Sequence, residues 1–123
     1  MQDLRLGQVS IAVKDVLRAT AFYKDKLGLE LLFSTPEGLA FFRCGSTRLM
    51  LSKPETPEFD HPASLFYYQT EGIEARHAGL LAKGVVCRQA PRLVAPMPDH
   101  DLWISAYEDG EGNVFALMEE KAK

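Results

Sequence analysis

The chain carries one pattern twice: an apolar strand-like run, an acidic residue, an amphipathic helix and a glycine that opens another strand. In the first copy Gly28 follows Asp15 by thirteen residues, and in the second copy Gly84 follows Glu71 by the same number. Such a repeat predicts two equivalent modules. Each half continues with three short strands, so we expect an α+β chain of two βαβββ modules whose sheets face each other across a cleft.

The modules are predicted to belong to one domain, because 123 residues is the size of a single domain. Module one spans about 6–53 and module two about 63–119. Between them, about 54–62 contains three prolines and is predicted to be a surface linker. The charged tail Glu119–Lys123 is expected to fray.

Charge and hydropathy narrow the classes of partner. A formal net charge of −3 gives no basic surface for nucleic acid, and no apolar run reaches the roughly 20 residues that cross a bilayer. Residues 1–5 lack the pattern of a secretion signal. Cys44 and Cys87 lie outside any C-x-x-C motif and are predicted to be free thiols. We therefore expect a cytoplasmic protein without nucleic-acid or membrane partners.

Three motifs resemble those of the vicinal oxygen chelate superfamily, which includes glyoxalase I, bleomycin-resistance proteins, fosfomycin-resistance enzymes and extradiol dioxygenases. They are Val13-Lys14-Asp15 with Ala21-Phe22-Tyr23 and Leu27-Gly28-Leu29, then Glu71 to Ala75 with Lys83-Gly84-Val85, then Tyr107 to Asn113. The last departs from the family at Gly110, where proline is usual. The resemblance implies an open, curved β-sheet barrel around a cavity, commonly built as a homodimer.

The resemblance also indicates where a divalent ion would bind. The family's metal ligands, usually His, Gln or Glu, correspond here to Gln8, Met50, Leu65 (or Ser64 with a shift of one) and Ala116. Gln8 is either a ligand, as in some glyoxalase I enzymes, or a polar residue lining the cavity. Because a catalytic ion generally needs three protein ligands, we predict no metal and no cofactor.

Strand alternation predicts a pocket that is mostly apolar with a few polar groups, a composition that suits a small organic molecule. The predicted ligand-binding residues are Gln8, Ser10, Arg48, Met50, Leu65, Tyr67, Gln69, Trp103 and Ala116. Tyr107 is expected to add aromatic surface beside Trp103. Arg48 either pairs with a carboxylate or phosphate or is a solvated edge residue.

Other residues leave a choice between roles. His100 lies between Asp99 and Asp101, where it acts as a general base, binds a substrate anion or is part of a polar loop. His77, at helical spacing, is predicted to be a packed or surface histidine. The run Asp109 to Asn113 has the spacing of a calcium loop but lacks its glycine, and is interpreted as a turn between strands.

Three functions remain open from the sequence. The first is a metal-independent protein that binds a small organic molecule between the modules. The second is a lyase, isomerase or dioxygenase with relocated active groups, for which His100, Gln8 and Tyr67 are the catalytic candidates. The third is an interaction module whose cleft is filled by Met50, Leu65 and Trp103.

Overall fold

The structure, a computed structural model, describes residues 4–123 and divides into two compact units, one ending at Ala63 and the other beginning at Ser64. Each unit has the predicted order of strand, helix and three strands. The first contains β1 (Gln8–Ala12), α1 (Val16–Ala21), β2 (Glu30–Ser34), β3 (Ala40–Cys44), β4 (Thr47–Ser52) and a 3-10 turn (Pro57–Phe59). The second contains β5 (Phe66–Gln69), α2 (Ile73–Ala82), β6 (Cys87–Pro96), β7 (His100–Glu108) and β8 (Val114–Ala122).

Helix α1 begins at the acidic residue that the repeat singled out. The Asp15 carboxylate accepts a hydrogen bond from the Arg18 backbone N–H at 3.1 Å, which satisfies one of the free donors of the first turn. The helix continues as a wider, π-helical turn over Phe22–Lys26. Gly28 follows with a φ of +84°, a backbone conformation that glycine adopts without strain.

The first sheet has the strand order β1-β4-β3-β2, with β1 parallel to β4 and the other pairs antiparallel. One face packs on the helical segment, where the buried ring of Phe42 lies 6.1 Å from that of Tyr23. The buried residues Ile11, Ala40, Leu49 and Leu51 share this face. Because side chains alternate along a strand, the opposite face, here called the far face of the first sheet, carries Gln8, Ser10, Ala12, Phe41, Arg43, Arg48, Met50 and Ser52.

The second sheet has the order β5-β8-β7-β6, again with one parallel pair, β5 and β8. Its helix face is marked by Tyr107, whose hydroxyl lies 2.9 Å from Nδ1 of His77 on α2. Alternation places Trp103, Ser105, Phe115, Leu117, Glu119 and Lys121 on the same face. The far face of the second sheet carries Tyr67, Gln69, Ile104, Ala106, Ala116 and Met118.

The C-terminal residues are ordered by α2, and the expectation that Glu119–Lys123 frays is wrong. Strand β8 runs to Ala122, and the Glu119 carboxylate accepts the backbone N–H groups of Gly72 at 3.0 Å and Ile73 at 2.9 Å. Lys121 forms an ion pair with Glu74 in the first turn of α2. The tail is therefore ordered because Glu119 satisfies backbone N–H groups, and Lys121 neutralises a carboxylate, at the start of the helix.

The turn before β8 is confirmed as a connection between strands. Asp109 is only 2% exposed, and its Oδ1 accepts the backbone N–H groups of Glu111 at 2.7 Å and Asn113 at 3.1 Å. Its Oδ2 accepts from the Asn113 side-chain amide at 3.0 Å. The carboxylate thus organises its own loop.

Strand β6 is one of the two edge strands of the second sheet and is irregular. Its register with β7 shifts at three places, and the strand contains Pro91 and Pro96. The pairings of residues 4–123 leave both four-stranded sheets open rather than closed into a barrel. None of the helices in this part of the chain has the length and apolar character needed to cross a membrane.

Candidate functional site

A cavity of about 860 Å³ lies in the first unit, at the end of β1 and β4 where both strands leave the sheet. Its volume falls in the range of roughly 300–1,000 Å³ that is typical of small-molecule sites. The lining comes from the far face of the first sheet, the start of α1, the β2–β3 turn and the chain after β4. The residues are Ser10, Ala12, Lys14, Asp15, Val16, Leu17, Glu37, Gly38, Leu39, Met50, Ser52, Lys53, Pro54, Glu55, Phe59, His61 and Ala63.

The floor of this cavity is the parallel pair β1 and β4. Its register sets Ser10 beside Met50 and Ala12 beside Ser52. The hydroxyl oxygens of Ser10 and Ser52 are 3.5 Å apart, so two small polar groups flank the half-buried thioether of Met50. Of the predicted ligand-binding residues, Ser10 and Met50 line the cavity.

The segment predicted to be a plain surface linker forms one wall of the cavity. Within this segment the backbone N–H of Phe59 donates to the carbonyl of Thr56, and that of Asp60 donates to the carbonyl of Pro57, both at 3.1 Å. These bonds close a short 3-10 turn. Phe59 in this turn and His61, two residues further on, both line the cavity. Sequence reasoning missed both residues, although a phenylalanine in an otherwise polar, proline-rich stretch was an available signal.

A row of side chains continues along the far face of the first sheet beyond the cavity. Nε of Arg48 donates to Oε1 of Gln8 at 2.8 Å, and Nε2 of Gln8 lies 3.8 Å from the Met50 sulfur. The Arg48 guanidinium also lies 5.2 Å from the centre of the Phe41 ring. Gln8 is thus oriented by its two neighbours, with its carbonyl oxygen engaged by a cation.

The other predicted ligand-binding residues belong to the second unit, where they divide between two faces. Tyr67 pairs with Ala116, and Gln69 with Met118, on the far face of the second sheet. Leu65 precedes β5 and is 45% exposed. Trp103 instead lies on the helix face, where Nζ of Lys121 is 4.4 Å from its ring centre.

Tyr107 is also on the helix face and contributes no ligand-accessible surface, contrary to expectation. It is fully buried, its hydroxyl donates to Oγ of Ser105 at 2.8 Å, and burial raises the pKa of this hydroxyl. Since the hydroxyl hydrogen is used by Ser105, the phenol oxygen accepts from Nδ1 of His77. His77 is thereby confirmed as a packing residue.

His100 begins β7 between two carboxylates. Its Nδ1 lies 2.7 Å from Oδ1 of Asp99 and its Nε2 lies 3.4 Å from Oε2 of Glu120. The hydrogen bond from His100 lowers the pKa of the Asp99 carboxyl. The two ring nitrogens of His100 therefore face partners within the second unit, and this arrangement fixes the ring at the start of the strand.

Both cysteines are half-buried free thiols, and burial raises the pKa of Cys44. A raised pKa disfavours the thiolate, which is the reactive form. Cys44 is therefore not activated for nucleophilic chemistry.

Comparison with known proteins decides the family. The model of the Glyoxalase/Bleomycin resistance protein/Dioxygenase superfamily matches residues 5–117. The chain belongs to this superfamily. A comparison with curated proteins gave no match.

Solved structures of the superfamily share the fold over nearly the whole chain. An antibiotic-binding protein from Streptomyces sp. CB03234, TnmS3, is 25% identical, with a TM-score of 0.79 and coverage of 98% of this chain and 99% of that one. A glyoxalase/bleomycin resistance protein from the same organism is 26% identical, with a TM-score of 0.71 and coverage of 92% and 98%. A lactoylglutathione lyase from Agrobacterium tumefaciens, at 21% identity, has a TM-score of 0.74 and coverage of 96% and 95%, and this likeness concerns the fold alone.

The resemblance places the superfamily's metal positions at Gln8, Met50, Leu65 and Ala116, whose side chains differ in chemistry. In the first unit the Gln8 oxygen is hydrogen-bonded to Arg48, and Met50 offers only a soft thioether. In the second unit Leu65 and Ala116 have no donor atoms in their side chains. Across residues 4–123, no group of three or more His, Cys, Asp and Glu side chains is arranged to hold an ion.

Proposed function

We propose that this superfamily member binds a small organic molecule in the cavity of its first unit and uses no metal there. The observation that carries the proposal is the cavity itself, about 860 Å³ in volume, with apolar contacts from Met50, Leu39 and Phe59 and hydroxyls from Ser10 and Ser52. Apolar walls with a few polar groups are what a small organic ligand requires. The likeness to an antibiotic-binding protein supports the same class of function.

The charges around the cavity favour a ligand with its own polar groups. Three carboxylates line it, from Asp15, Glu37 and Glu55, and two ammonium groups, from Lys14 and Lys53. Charged side chains at the mouth of a pocket guide a ligand more than they hold it. We therefore place the main binding energy on the apolar contacts, with the serine hydroxyls setting orientation.

A thermal-shift screen tests this proposal. The ligands are a panel of antibiotics that includes bleomycin, each measured with EDTA and with added Mn²⁺, Ni²⁺ or Zn²⁺. A ligand that prefers the native state raises the unfolding temperature. We expect at least one antibiotic to do so equally in EDTA and in metal.

Two variants locate the binding. Ser52→Phe fills the cavity and should abolish the shift, whereas Ser34→Phe introduces the same ring at an exposed residue of β2 and should retain it. Loss of the shift in both variants, or in neither, would argue against the cavity as the site.

The remaining alternatives appear as other outcomes of the screen. Metal-dependent turnover of a hemithioacetal or a catechol would replace the binding proposal with the enzymatic one, and His100→Ala would then be the first variant to assay. A protein stabilised by no member of the panel would favour an interaction module instead.

A further inference from the structure

The hairpin between β3 and β4 brings two arginines face to face. Its turn has two residues, and the first, Gly45, has a φ of +59°, as a tight type II′ turn requires. Cys44 pairs with Thr47 beside the turn, and the next pair is Arg43 with Arg48. The backbone N–H of Arg48 donates to Gly7 rather than to β3, so Arg43 and Arg48 form a non-hydrogen-bonded pair, in which side chains lie closest.

Like charges opposite each other on neighbouring strands are destabilising, and here only one of the two is neutralised. Glu30 on β2 pairs with Arg43, with 3.1 Å between Oε1 and Nε. Arg48 has uncharged partners instead, the Gln8 amide and the Phe41 ring. Among residues 4–123, no carboxylate forms an ion pair with Arg48. The hairpin therefore carries an excess positive charge on the far face of the first sheet.

The two arginines also border a hollow of about 310 Å³, together with Gly7, Leu32 and the turn residues Gly45, Ser46 and Thr47. Glycine at two of these positions leaves backbone accessible to a ligand. The Thr47 hydroxyl is used, since it donates to the Leu6 carbonyl at 3.0 Å. Among the described residues, the side-chain hydrogen bond of Arg48 goes to Gln8 and uses Nε rather than the terminal guanidinium nitrogens.

We propose that this hairpin pocket binds a small oxyanion, a carboxylate or a phosphate. The Arg48 guanidinium supplies the main contact, Arg43 shares its charge between Glu30 and the anion, and the Ser46 hydroxyl adds a donor. Planar guanidinium forks match two oxygens of either group, and Arg48 is held ready by Gln8 and Phe41. The proposal does not depend on a ligand in the larger cavity. That cavity is lined by Met50, which lies two residues after Arg48 on β4, about 7 Å along the strand.

The test is an NMR titration of the full chain with inorganic phosphate or benzoate, followed through the arginine Nε–Hε resonances at constant ionic strength set by NaCl. The resonances of Arg48 and Arg43 should shift and saturate. Arg48→Gln should weaken binding at least tenfold and Arg43→Gln by a smaller factor. Arg88→Gln removes an exposed, ion-paired arginine of the second unit and should leave the affinity unchanged.

The outcomes separate the sources of the anion. Saturation with benzoate alone identifies an organic carboxylate, and with phosphate alone a phosphate group; either result supports an oxyanion site. Equal shifts on adding further NaCl, or an unchanged affinity in Arg48→Gln, would overturn it. Ser52→Phe should leave the anion affinity unchanged, so that this site and the larger cavity can fail separately.

Discussion

At the scale of single residues, Tyr107 illustrates how a buried hydroxyl couples three side chains. It accepts from His77 and donates to Ser105, and the three groups come from α2 and β7. Removal of this hydroxyl would leave His77 and Ser105 without their hydrogen-bond partner. Removing one partner of a buried hydrogen bond is more costly than the net energy of the bond itself.

We expect Tyr107→Phe to lower the free energy of unfolding at pH 7 by about 1–3 kcal/mol. The matched control is Tyr67→Phe, the same change on a tyrosine that is 48% exposed, which should have almost no effect. Urea denaturation of the three proteins measures the difference. An equal loss in both variants would show that the network around Tyr107 contributes nothing specific.

The same pair of variants predicts a pH dependence. Burial raises the pKa of Tyr107 in the folded state above its unfolded value of about 10. The neutral hydroxyl therefore stabilises the fold fully below about pH 10, and this contribution is lost as the pH rises through the folded pKa. The stability gap between the native protein and Tyr107→Phe should narrow above pH 10; a constant gap would contradict the raised pKa.

The residues of the site show which placements a sequence can predict. Ser10 and Met50 lie beside each other on one face, as alternation along short, regular strands predicts. Trp103 pairs with Glu119 on the helix face. The sequence did not predict this face because neither strand alternates cleanly between polar and apolar residues there. Phe59 and His61 were missed because an irregular segment has no period from which to infer direction.

At the scale of secondary structure elements, the start of α2 depends on a distant strand. The repeat singles out Glu71 as the acidic residue before this helix, yet the carboxylate that accepts its first N–H groups is that of Glu119, on β8. Gly72 precedes the helix with a φ of +65° and has no side chain to cap it. The helix terminus therefore relies on tertiary structure rather than on local sequence.

We expect Glu119→Ala to lower the free energy of unfolding by about 1–2 kcal/mol, whereas Glu71→Ala, two residues before the helix, should change it little. Amide exchange of Gly72 and Ile73 should accelerate in the first variant only. Similar exchange in both variants would mean that the Glu119 contacts do not hold the helix start.

The elements themselves were largely predictable, whereas their connections over long range were not. In each copy of the repeat, the acidic residue, the amphipathic stripe and the glycine predicted a helix. Apolar runs bounded by turn residues predicted the strands. The capping by Glu119 and the order of the tail arise from contacts some 46 and 47 residues apart in sequence. No local pattern contains that information.

At the scale of the whole molecule, the repeat and the three motifs predicted the fold of both units, and the family model and solved structures confirm it. The resemblance also implies a homodimer. We expect light scattering to give a mass twice the 13.7 kDa of the chain. A mass of one chain at every concentration tested would contradict the dimer while leaving the fold unaffected.

The irregular strand β6 has a consequence for how copies of this chain meet. An unbroken outer strand invites pairing with the edge of another molecule, and proline and shifts in register discourage it. Pro91 and Pro96 each remove a donor along β6, where Leu93 and Val94 are also exposed. Self-recognition through this edge would have to overcome those gaps, so we expect a homodimer to use another surface of the chain. Replacing both prolines by valine would restore the missing backbone N–H donors of β6, and we expect copies of the chain then to polymerise through this edge.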